Sequence, residues 1–190
     1  MRSTPWLVVG AWMSGVLVAF WFFELRSQGP SQNAVFGVAA GDPHVQGIES
    51  WFKLNIRNSG AVAPRAQATL VHFYQAGCAC NRDIEPRLAK IEERYRARGV
   101  NVVRVERTAR MGADTLDWIN ATPAALVFNG AGKLVYFGPY SDAGWCGASG
   151  DLAEKALDHS LLGTSQPLRK ISARGCLCSS IPLETPGYAS

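Results

Sequence analysis

Apolar positions change their period several times along the chain, and each period predicts a different element. Residues 3–23 carry no charge, and Trp6 to Phe23 are nearly all apolar. That is about the 20 residues a helix needs to cross the hydrocarbon core of a bilayer. Thr69 to Tyr74 is a run of apolar, β-branched and aromatic residues, which predicts a buried strand. After Gln75-Ala76-Gly77 the apolar residues return as Ile84, Leu88, Ile91 and Tyr95, spaced four, three and four apart. This is one face of a helix over 82–98. Asp83 with Arg87 and Glu92 with Arg96 are i,i+4 pairs on its wet side, and Gly99 suits the stop.

The remaining elements follow the same logic. Residues 27–34 read as a polar linker, and 35–43 as a short strand or irregular lead-in. Ile48, Trp51, Phe52 and Ile56 predict a helix over 46–57. Val100 to Val105 is strongly β-branched and predicts a second strand. A strand, helix, strand unit of this length implies parallel pairing. A short helix is expected over 113–120, then a buried strand over 124–128. Asn129-Gly130-Ala131-Gly132 is a turn by composition, and 133–137 is the returning strand. Leu152, Ala156, Leu157 and Leu161 predict a last helix over 151–162, closed by Gly163.

Chemistry enters at Gly77-Cys78-Ala79-Cys80-Asn81, where two cysteines sit between strand and helix. A thiol in the first helical turn faces unpaired N–H groups and the positive end of the helix dipole. Both favour the thiolate, the nucleophile of disulfide exchange. A disulfide closed within C-x-C would be a small, strained ring, better suited to a reagent than to a staple. The same two thiols could also chelate soft Cu(I) or Zn²⁺. Cys146, Cys176 and Cys178 form a second group of possible disulfides. A bond from Cys146 to Cys176 or Cys178 would fix a tail of little apolar content to the core; a second redox pair serving the first is the other reading. His72 reads as a core histidine, and Trp118 and Trp145 as core or rim aromatics.

The strand, the cysteine pair at a helix start and Pro86 eight residues after Cys78 resemble the thioredoxin fold. Thr122-Pro123, ahead of the predicted hairpin, is similar to that family's cis-proline motif. The resemblance implies that Cys78 is the attacking cysteine, and that Thr122 and Pro123 lie beside the thiols. Asn81, not Cys80, falls where the family's resolving cysteine sits, so C-x-C replaces C-x-x-C. The implied fold class is α/β, thioredoxin-like, a central mixed sheet flanked by helices and preceded by one transmembrane helix. The implied division is an anchor over 1–26, a linker over 27–46, the thioredoxin-like domain over 47–165 and a cysteine-containing tail over 166–190. The implied activity is thiol–disulfide exchange through Cys78 and Cys80, with protein thiols or disulfides and an unidentified redox partner. No cofactor is expected. A soft-metal module and a non-catalytic binding module on the same fold are the alternatives.

Composition changes this picture little. An apolar fraction of 47% with 18% charged residues is globular. The net charge of +4 comes from basic residues mixed with acidic ones, which argues against nucleic acid as a partner. Compartment follows from the first span. Its bulky end, Phe20-Trp21-Phe22-Phe23, lacks a small-x-small cleavage site, so an uncleaved anchor over 6–23 is expected. Arg2 lies before the span and all five cysteines lie after it. Both place the C-terminal domain in a periplasm-like, oxidising space, single-pass in the cytoplasmic membrane.

Overall fold

The computed structural model describes residues 4–27, 31–107, 118–141, 151–164 and 166–179. The chain divides into two units, Met1–Ser31 and Gln32–Ser190. The first holds helix α1 (Thr4–Ser27). Its described side chains run from Val9 to Phe22 and are exposed throughout. No helix among the described residues is long and apolar enough to cross a membrane.

The second unit is mixed α/β. Its elements are β1 (Ser31–Phe36), α2 (His44–Phe52), continued by a π-helical turn over Lys53–Arg57, β2 (Ala68–Tyr74), α3 (Ala79–Arg96) and β3 (Val100–Glu106). There follow β4 (Ala121–Thr122), β5 (Ala124–Asn129), β6 (Leu134–Gly138), α4 (Leu152–Leu161), β7 (Ile171–Cys176) and β8 (Cys178–Ser179). The main sheet has the order β3-β2-β5-β6. β2 runs parallel to β3 and antiparallel to β5, which is antiparallel to β6. The parallel pair is the one joined through α3, as a crossover connection requires.

The sheet is buried on both faces, and the period of two in its strands sorts the core into two halves. Val71 and Phe73 of β2 join Leu126 and Phe128 of β5 against Trp51, Phe52 and Ile56. Phe52 stacks on Phe128 with centroids 3.9 Å apart. The alternate residues, Ala68 and Leu70 with Ala125 and Val127, meet Ile84, Leu88, Ile91 and Tyr95 of α3 and Leu157 of α4. Those four α3 positions are the stripe read from the sequence. Helices therefore cover both sides of a mixed sheet. Asn129 closes the β5–β6 turn, its Oδ1 accepting from the backbone N–H groups of Ala131 and Lys133 at 3.0 Å each.

Two expectations change. The segment 27–46, expected as a linker, contains β1, which pairs with β7; Phe36 and Val38 are too apolar to stay in water and are buried in the core. The tail 166–190 is likewise built in as far as residue 179. Ala173 and Leu177 are buried, and β8 pairs with β4. At Gly37 (φ +86°) a Cβ would stand 2.6 Å from the carbonyl oxygen of Arg169 and 2.7 Å from that of Phe137, so only glycine admits this approach. Arg87 also reaches across to Glu154 of α4 with a forked hydrogen bond of 2.8–3.1 Å, a geometry its planar guanidinium suits. Glu92 and Arg96 do pair as expected, at 2.8 Å. The helix expected over 113–120 lies mostly outside the described residues, as do Cys146 and Trp145.

Candidate functional site

Local geometry at the end of β2 decides where the cysteines stand. Gly77 takes φ +78°, a left-handed turn that a side chain resists, and swings the chain from the strand into α3. Cys78 becomes the N-cap residue, in extended conformation (φ −75°, ψ 116°) and with no side-chain capping bond. Its N–H donates to the Gln75 carbonyl at 3.1 Å, and its own carbonyl accepts from the Asn81 N–H at 3.1 Å. The Asn81 side-chain amide also donates to the Gln75 carbonyl. Asn81, at the position where the resemblance would put a thiol, thus braces the turn. Cys80, two residues inside the helix, is buried.

The tail brings the third sulfur. β8 lies antiparallel to β4, with Cys178 opposite Thr122 and Ser179 opposite Ala121. Cys178 is disulfide-bonded to Cys78, with Cα atoms 6.0 Å apart and 100 residues between them in sequence. Cys80 is also in a disulfide, its partner lying outside the described side chains. The sulfurs of Cys78, Cys80 and Cys178 all lie within 4.8 Å of one another. The expectation was a bond from Cys146 to Cys176 or Cys178, and one from Cys78 to Cys80 when oxidised. Instead, β-pairing with β4 carries the tail to the start of α3. Fully reduced, the three would offer three soft donors to a thiophilic ion.

Thr122-Pro123 is a cis peptide bond, and both residues are buried. The Thr122 hydroxyl has no hydrogen-bond partner among the described residues. Through Cys178, its cross-strand neighbour, Thr122 is tied to the Cys78 disulfide, so the structure gathers Cys78, Cys80, Thr122 and Cys178 in one place. The signal for Cys178 was present in the chain as a repeat: Gly77-Cys78-Ala79-Cys80 and Gly175-Cys176-Leu177-Cys178 share the Gly-Cys-x-Cys pattern.

One titratable group of β2 is strongly perturbed. The His72 ring is buried, with Nδ1 2.9 Å from the Tyr140 hydroxyl. Burial, aided by the Arg104 charge, lowers its pKa from 6.5 to about 4, so the imidazole is neutral at pH 7. Burial likewise holds the Tyr140 phenol well above its ordinary value, with Glu154 adding to it. His72 is the core histidine expected.

No curated protein matches this chain. Among solved structures it is similar to a hypothetical protein from Sinorhizobium meliloti 1021, at 21% identity and a TM-score of 0.47 over 61% of this chain and 80% of that one. It is also similar to an uncharacterised conserved protein from Geobacillus kaustophilus, at 20% identity and a TM-score of 0.48 over 62% and 80%. The model of one family matches residues 49–180, a stretch that runs from α2 through the sheet to the Cys78–Cys178 disulfide. The chain belongs to that family, described as "Domain of unknown function (DUF6436)".

Proposed function

We propose that this chain is a thioredoxin-like thiol–disulfide oxidoreductase with Cys78 as its nucleophile, held by its N-terminal helix in the cytoplasmic membrane with the cysteines in the periplasm. The observation that carries the reading is a disulfide-bonded cysteine at the N-cap of α3. On reduction, the Cys78 thiol stands at the N-terminus of α3, where the helix dipole favours the thiolate. That thiolate attacks a partner disulfide, and a second thiol of the cluster then releases the partner. The cis Thr122-Pro123 bond beside the cluster supports the thioredoxin-like comparison.

The test is competitive alkylation of the reduced full chain. With limiting iodoacetamide at neutral pH, Cys78 should react before the other cysteines, with an apparent pKa below the ordinary value of about 8.5. Modification of Cys78 no faster than that of free glutathione would defeat the reading. The three sulfurs within 4.8 Å favour one second reading, soft-metal handling. Stoichiometric Cu(I) retention by the reduced chain, lost in both Cys78→Ser and Cys80→Ser, would put that in its place. Neither reactivity nor retention would leave a binding module.

A further inference from the structure

We infer that Cys178, carried in on the tail, is the resolving cysteine for Cys78, so that the redox pair is built from residues 100 apart rather than from the neighbouring C-x-C. This rests on the exchange chemistry proposed above and assigns its second step.

Three observations carry it. The bond present is Cys78–Cys178, the product that this resolving step would leave. Cys178 is delivered by main-chain pairing: β8 places it opposite Thr122, and the buried Leu177 anchors the strand beside it. A thiol held there attacks Cys78 intramolecularly, with the advantage of a high effective concentration. Cys80 is placed otherwise. It is buried inside the first turn and engaged in a separate disulfide, whereas Cys78 and Cys178 are each only half-buried. An incoming disulfide therefore meets the pair Cys78 and Cys178 more readily than Cys80.

The steps balance as follows. The Cys78 thiolate attacks one sulfur of a partner disulfide; a Cys78–partner bond forms, the partner's S–S bond breaks, and the second partner sulfur leaves as a thiolate. The Cys178 thiolate then attacks the Cys78 sulfur. The Cys78–Cys178 bond forms, and the first partner sulfur leaves as a thiolate. Two electrons have passed from the Cys78/Cys178 dithiol to the partner disulfide, and the two protons given up by the dithiol go to the departing thiolates. The cycle is reset by a dithiol of another protein attacking the Cys78–Cys178 bond.

Oxidised glutathione serves as the model disulfide. The full chain, reduced and desalted, is mixed with it, quenched with acid at intervals and mapped by peptide mass spectrometry at the Cys78 peptide. In Cys178→Ser the Cys78–glutathione adduct should persist, decaying ~10-fold or more slowly than in Cys80→Ser, because the thiol held in place to attack Cys78 is gone and the buried Cys80 does not replace it. In Cys80→Ser it should collapse into the Cys78–Cys178 bond. The unmutated chain guards against a misfolded variant: its first new intramolecular bond should be Cys78–Cys178. A persistent adduct in Cys80→Ser with rapid loss in Cys178→Ser, equal decay in the two variants, or a first bond between Cys78 and Cys80 would each overturn the assignment while leaving Cys78 as nucleophile. No adduct at Cys78 above the level of a free thiol would instead remove the oxidoreductase reading itself.

Discussion

Acidification offers a direct test of the buried His72. In the folded chain the imidazole is neutral down to about pH 4, held so by burial and by Arg104, its partner in register on β3. The unfolded chain binds a proton from about pH 6.5 downward. The folded pKa lies below the unfolded one, so the unfolded state takes up more protons as pH falls. The contribution is therefore fully present above pH 6.5, drains as pH falls through the window from 6.5 to about 4, and changes no further below it. The full gap corresponds to about 3 kcal/mol, and about 2 kcal/mol should be gone at pH 5. Among the described residues, the ring meets the Tyr140 hydroxyl and the Tyr74 and Tyr140 rings, with Arg104 and Ala125 in register on the flanking strands; none of these is a carboxylate that would hold the protonated ring. The perturbation is His72→Gln, which keeps a polar partner for the Tyr140 hydroxyl and removes the titration. Urea unfolding of both full-length chains at pH 7 and pH 5 gives the comparison, with the remaining titrating groups common to both. The unmutated chain should lose about 2 kcal/mol more than the variant between the two pH values. Equal losses would refute the reasoning, showing that His72 is hydrated or paired in a way its burial denies.

Two further outcomes can be checked. Arg87→Ala should destabilise the chain by about 1.5–3 kcal/mol, read from urea midpoints, because the Arg87–Glu154 fork joins α3 to α4 with both side chains about 15% exposed; Arg87→Lys, which cannot form the fork, should recover only part. A reporter fused after Ser190 should behave as exported, and the full chain should stay with membranes after a salt wash; release of a domain lacking the first 25 or so residues would show a cleaved leader in place of an anchor.

The main-sheet strands and the helices packed on them were legible in the sequence because their signals are local. The stripe Ile84, Leu88, Ile91 and Tyr95 has the period of a helix whatever it packs on, and the structure puts all four in one half of the core. The run from Thr69 to Tyr74 is too apolar for any edge, and it pairs on both sides. Gly99, at φ +79°, ends α3 where the sequence suggested.

Partners far apart in the chain were beyond such reading. His72 and Tyr140 are 68 residues apart, and Arg87 and Glu154 67 apart. Five cysteines allow many pairings, and nothing in their spacing selects Cys78 with Cys178. That choice depends on β8 finding β4, two residues of main-chain pairing in a two-stranded sheet of their own. The sequence by itself thus determined the four strands of the main sheet, the helices α2, α3 and α4 and the thiols at a helix start. Only the tertiary structure decided which thiol meets which, because a disulfide forms between atoms brought within bonding distance, and that distance is fixed by chain closure over 100 residues rather than by any local period.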